Sequence, residues 1–230
     1  MVNIDTVYQR VLAIANKEQR GYITPLEFNL LANQVQLEIF EGYFPELNQS
    51  SQLPGVDMPH VDAVSIVEDK ISIFQQSLGS NAIANLPVAG GNFRITLPED
   101  VYRIITVYCG DAEAEKLNNI HFSHVKKHGP LTKPTAITPV YNLQKNHLRM
   151  HNGNPIDPSL IDCGIHYIRK PEKVEWGYVV TDGQALYNAS ASTDFELHGS
   201  DETILIGKIL GLAGVIMQKP DLAGAGQQQA

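Results

Sequence analysis

Positive charge is in short supply in this chain: 17 Lys and Arg stand against 25 Asp and Glu, for a formal charge of −8 and a pI near 5.4. Such a surface does not wrap nucleic acid by neutralising phosphates, which takes clustered Lys and Arg, although an acidic ring through which DNA slides stays compatible. Long apolar runs are absent too, none approaching the ~18 residues that span a bilayer. Met1–Asp5 has neither the basic nor the apolar stretch of a secretory leader, so neither membrane insertion nor secretion is expected. Cysteine is scarce. Cys109 and Cys163 each lie in a strand-like run, and two buried, reduced thiols are expected in preference to a disulfide, pointing to folding in a reducing cytoplasm. Apolar residues are not lacking: 43% of 230 residues supplies a core for one domain, or for a domain with a sizeable insertion. Disorder of the whole chain is excluded.

Val7, Val11, Leu12, Ile14 and Ala15 recur at helical spacing between Thr6 and Gln19, with Gly21 as a stop. Thr24-Pro25-Leu26-Glu27 is a capping-box pattern, with proline at the first helical position. It predicts a second helix whose stripe is Phe28, Leu31, Val35, Ile39 and Tyr43 and which Pro45 ends, the two helices running antiparallel. The polar stretch from Pro45 to Pro59 reads as a loop. Residues 60–78 favour a third helix, with strands as the alternative. From Asn92 the texture becomes β: residues 93–97 and 101–109, parted by Pro98-Glu99-Asp100, suggest a hairpin-like region. A strand and a short helix over Ser123–His128 follow, then a crossing kept extended and exposed by Pro130, Pro134 and Pro139. Tyr141–Leu143 and Leu148–Met150 flank Gln144-Lys145-Asn146 as a second hairpin, and Gly164–Arg169 reads as a strand ended by Pro171. Ser200-Asp201-Glu202 offers a cap and an acidic first turn to a last helix bearing Ile204, Leu205, Ile209, Leu212 and Ile216. That helix ends near Lys219-Pro220.

The motifs of chemistry are missing: no phosphate-binding loop, no dinucleotide fingerprint, no nucleophile elbow and no paired-cysteine zinc spacing. The nearest approach is His121, His124 and His128, whose offsets of three and seven place imidazoles on one helical face for a metal. Gly129-Pro130 cuts that helix short and Lys126-Lys127 repels a cation, so surface histidines are the expectation, with no metal and no cofactor. Asp111, Glu113 and Glu115 alternate at strand period. They are read as a solvated face, with a DNA-channel lining as the sharper alternative. Trp176 and Tyr178 suit either a core or an interface. Gly207, Gly211 and Gly214 each cost the last helix up to about 1 kcal/mol, a cost that close packing within the chain or against a neighbouring copy offsets.

Several stretches together resemble neck-associated structural proteins of tailed bacteriophages, including short-tailed, crAss-like and marine phages. They are Val7-Tyr8-Gln9-Arg10-Val11 with Tyr22-Ile23-Thr24-Pro25-Leu26-Glu27-Phe28-Asn29; Leu97-Pro98-Glu99-Asp100-Val101-Tyr102-Arg103; Tyr167-Ile168-Arg169-Lys170-Pro171 through Trp176-Gly177; and Phe195-Glu196-Leu197 with Ile209-Leu210-Gly211-Leu212-Ala213-Gly214-Val215. The resemblance implies an α+β fold: an antiparallel bundle of N-terminal helices and a C-terminal helix, carrying a central small antiparallel, barrel-like β insertion. Residues 1–80 would form the helical part, 81–198 the β-rich insertion with its Pro-rich segment, 199–219 the returning helix and 220–230 a flexible tail. It further implies a non-enzymatic head-to-tail adaptor, a homo-oligomeric ring of about twelve copies. Its partners would be the portal protein, the tail or next neck ring protein and, transiently, genomic DNA in the channel, with no membrane. Its place would be the virion neck or tail, after assembly in the host cytoplasm. A tail-tube or head-closure component is the neighbouring alternative. A metal-dependent hydrolase built on His121, His124 and His128, and a small ligand-binding module, are the alternatives of other kinds.

Overall fold

The structure, a computed structural model, describes residues 1–17, 23–52, 58–79, 86–88, 92–125, 133–151, 163–181 and 183–216. It is a mixed α and β protein in which helices and mainly antiparallel sheets both occur. Two compact units divide the chain, one formed by Met1–Ile73 with Pro171–Ala230 and the other by Phe74–Lys170. None of the described helices is long and apolar enough to cross a membrane.

The first unit is mainly helical. Helix α1 (Ile4–Lys17) starts where the Asn3 side chain accepts from the Thr6 amide at 3.0 Å, and it buries Ile4, Val7, Tyr8, Val11 and Ala15 along one face. Helix α2 (Pro25–Gln52) opens with the expected capping box: the Glu27 amide donates to Thr24 Oγ1 and the Thr24 amide donates back to the Glu27 carboxylate. The Thr24 hydroxyl, which donates to the Glu27 carboxylate at 2.7 Å, and after it the Thr24 amide hold that carboxyl below its ordinary range. The expected stop at Pro45 does not occur. Proline there removes one amide donor, leaving the Glu41 carbonyl without its helical partner, but both residues lie on the exposed face, where water can take that bond. The stretch read as a loop from 45 to 59 is therefore helical at 45–52 and again from Met58, while 53–57 lie outside the described residues. Helix α3 (Met58–Ser72) follows, and α5 (Glu202–Ile216) closes the unit; α2 packs on α3 and α5, and α1 on α5. The expected helix end at Lys219, the tail beyond it and the α1–α2 connection lie outside the described residues.

The return segment 171–198, grouped on the sequence with the β insertion, belongs to this helical unit. Polar side chains spaced along α2 hold it as a neighbouring strand would. Gln36 donates to the Glu172 carbonyl, Asn33 pairs with both backbone groups of Val174, and Asn29 does the same for Trp176. The helical steps 29, 33, 36 thus match the two-residue period of an extended chain. Further on, Phe195 and Val2 exchange both backbone hydrogen bonds.

The second unit is a β structure of two sheets, where one small sheet was expected. One has the order β1 (Gln75–Leu78), β9 (Cys163–Arg169), β4 (Val101–Cys109), β5 (Ala112–Glu113). The other runs β2 (Leu86–Val88), β3 (Asn92–Thr96), β8 (His147–His151), β7 (Val140–Gln144), β6 (Glu115–Lys116), with β6 parallel to β7. Ile95, Leu148, Met150 and Tyr141 from one sheet share a buried core with Val107, Ile165, Tyr167 and Cys109 from the other. A single sheet would leave one of these apolar faces in water. Hence β3 and β4 do not form the expected hairpin: the turn at Pro98-Glu99-Asp100 passes the chain from one sheet to the other, and β3 pairs with β2 and β8 instead. The β7–β8 hairpin forms as expected, about Lys145 and Asn146, with Lys145 at φ 49°. Of the Pro-rich crossing, Pro134 and Pro139 are buried and residues 135–138 exposed; Pro130 lies outside the described residues. Cys109 and Cys163 face each other across the β4–β9 ladder and are joined as a disulfide, which replaces the expectation of two reduced thiols. They are far apart in the chain, and only strand register makes them neighbours.

Candidate functional site

The residues singled out for chemistry are spread apart. His121 and His124 are exposed on the short helix α4 (Asn119–Val125), whose start is capped by the Asn118 side chain, and His128 lies outside the described residues. Among the described residues no three His, Cys, Asp or Glu come together as metal ligands. Asp111, Glu113 and Glu115 are all exposed, but they do not share one strand. Asp111 is in the turn after β4, Glu113 ends β5 beside β4, and Glu115 begins β6 in the other sheet, with buried Ala114 between them. The change of sheet at Ala114 breaks the two-residue alternation on which a common face depends. Gly207 and Gly214 are buried on α5 and Gly211 partly so. The neighbouring Lys208 ties α5 to α2 through an ion pair with Glu38.

A buried polar cluster appears where the sequence suggested a helix cap and an acidic first turn. Asp201, 2% exposed, accepts from Tyr43 Oη and from Lys70 Nζ, each at 2.7 Å, and the Lys70 ammonium lies 5.5 Å from the centre of the Tyr43 ring. Burial first, then the hydrogen bond and negative charge of Asp201, push the Tyr43 hydroxyl far above its ordinary range. All three groups are satisfied within the unit. The cluster joins α2, α3 and the start of α5, so its role is to lock the helices.

The surface most suited to a partner is a hairpin that the sequence reading missed. Strands β10 (Tyr178–Thr181) and β11 (Gln184–Tyr187) pair antiparallel with each other alone, and Gly183 in their connection has φ 76°. Asp182-Gly183 between Val179-Val180 and Ala185-Leu186 is the signal that would have revealed it. The base is well anchored. Trp176, 3% exposed, stacks on Tyr178 with ring centres 5.8 Å apart, lies 5.7 Å from Tyr187, packs on Tyr8 from α1 and donates its indole N–H to Asp5. Gly177 follows, in a place where a Cβ would come within 2.6 Å of the Ala191 carbonyl carbon. Beyond this anchor the hairpin is uncovered: Val179, Val180 and Leu186 are all more than half exposed. Two strands alone are marginal in water, and exposed apolar strands with free edges invite pairing. A second apolar surface lies on α2, where Leu26 and Leu30 are 66% and 68% exposed and Leu37 lies on the same face at helical spacing.

Compared with known proteins, the chain matches no family model and no curated protein.

Proposed function

We propose that this chain is a non-enzymatic structural protein of a tailed-phage virion, a head-to-tail adaptor that forms a ring of about twelve copies beneath the portal. The observation that carries the reading is the anchored but uncovered hairpin β10–β11, beside a separate apolar face on α2. Two different sticky surfaces on one unit are what a head-to-tail contact between identical copies requires, and such contacts form a ring when their rotation closes. In this reading the helices form an antiparallel bundle, the β unit is its insertion, and the portal and the next neck or tail ring are the partners. The charge of −8 keeps transiting DNA from adhering.

Cryo-electron microscopy of the neck of particles carrying this chain, with symmetry determined and not imposed, tests the proposal. The expected result is about twelve copies directly below the portal. A position in the tail, or absence from particles, overturns it. In solution, Val179→Asp with Leu186→Asp should abolish self-association in sedimentation velocity while leaving the circular dichroism spectrum intact.

A further inference from the structure

We infer that a groove within the β unit binds an acidic peptide segment carrying an apolar anchor, supplied by a protein partner. The groove has a volume of about 820 Å³ and is lined by residues 97–99 and 101–105, Lys116, Tyr141, Leu143, the Lys145–Asn146 turn and Lys170. Its lining is charged against the trend of the chain. Arg103, Lys116, Lys145 and Lys170 converge on it from four separate segments, with Glu99 the one carboxylate among the described lining residues. All four cations are exposed, and among the described residues none forms an ion pair. A protein of net charge −8 thus gathers a local excess of positive charge in one concavity.

The groove is also built. The Leu97 amide donates to the Asn146 carbonyl at 2.9 Å, and the Lys170 amide donates to the Asp100 carbonyl at 2.7 Å, so three of its walls are tied by backbone bonds. Lys145 is held in the left-handed region, which aims a turn residue that lysine does not favour. Strand β4 slips register twice along this wall, between Val101 and Arg103 and between Ile104 and Thr106. These bulges set Tyr102 and Ile105 out of the ladder, and both are exposed, at 37% and 46%. Bulges that re-aim side chains are common beside binding sites.

The mixture of groups selects the ligand class. A nucleic acid backbone needs a row of cations that tracks its phosphates, whereas these four cations surround a single concavity. A bare phosphate would leave Tyr102, Ile105 and Leu143 in water. Carboxylates on the four cations, with an apolar or aromatic side chain on those three residues, use the whole lining. The inference does not depend on the virion reading.

The test is fluorescence anisotropy of the full chain with a fluorescein-labelled peptide EELEEFEE, at low and high salt. Saturable binding that weakens with salt is expected. Lys116→Glu with Lys170→Glu should lower affinity about tenfold or more, the effect of turning two exposed ion pairs repulsive. Lys116→Gln with Lys170→Gln, read beside circular dichroism, separates lost charge from lost fold and should give a smaller loss in the same direction. Absence of saturable binding, equal binding of KKLKKFKK, or indifference to both variant pairs would overturn the assignment. So would displacement of the peptide by tripolyphosphate or a DNA oligonucleotide at lower concentration than unlabelled peptide, which would reassign the groove to phosphate.

Discussion

At Asp201 a single carboxylate answers two donors in a place water does not reach, and the balance of desolvation against pairing makes it sensitive to loss of either partner. Removing one member of a buried pair leaves an uncompensated polar or charged group, at a cost of about 3–5 kcal/mol. Asp201→Asn is therefore expected to lower unfolding free energy by roughly that amount in urea titrations, through the Lys70 ammonium it strands. Tyr43 gives the same cluster a pH signature. Its hydroxyl ionises above its ordinary value when folded and returns to about 10 when unfolded, so its contribution is complete below pH ~10 and is lost as pH rises beyond it. Melting temperature should hold through neutral pH and fall on the alkaline side, and Tyr43→Phe should lower it at neutral pH while making the alkaline fall shallower. Some slope will remain, because burial also raises the Tyr141 and Tyr167 hydroxyls in the β unit.

Among the elements, the return segment is the one most dependent on a few contacts. Over residues 172–176 its backbone meets another backbone at Glu175, which bridges to Thr193, and otherwise it borrows side chains: the amides of α2 and the Glu196 carboxylate. Asn33→Leu keeps the branched outline of the side chain but leaves the Val174 N–H and C=O without partners, which should cost about 1–3 kcal/mol. Amide hydrogen exchange should then quicken around Val174 and Trp176 before the core of α2 responds. Gly177→Ala acts at the next joint: the added methyl meets Ala191 backbone, which cannot yield as a flexible side-chain tip would. About 1–3 kcal/mol of destabilisation is expected, together with loosened hairpin placement visible as a change in Trp176 fluorescence.

For the whole molecule the governing quantity is charge. With eight more acids than bases, the chain should fail to retard duplex DNA in gel-shift assays even at low salt, where phosphate contacts are strongest. Retardation there would argue against an acidic channel. The β-unit groove is the local exception, and its compactness limits it to short ligands.

By itself the amino-acid order determined the elements whose cause is local: α1 and α2 by apolar periodicity and the Thr24–Glu27 box, the β7–β8 hairpin by its turn, and β9 by its β-branched run. It likewise made plain the acidic balance and the want of any familiar catalytic motif. Only the tertiary structure decided that β3 and β4 part into different sheets, that Cys109 meets Cys163, that Asp201 is buried, and that four distant cations share one groove. Each of these unites residues remote in the chain. Local propensity reaches only a few residues along the backbone, whereas strand register, burial and charge convergence are settled by which apolar faces cover one another when the chain closes on itself.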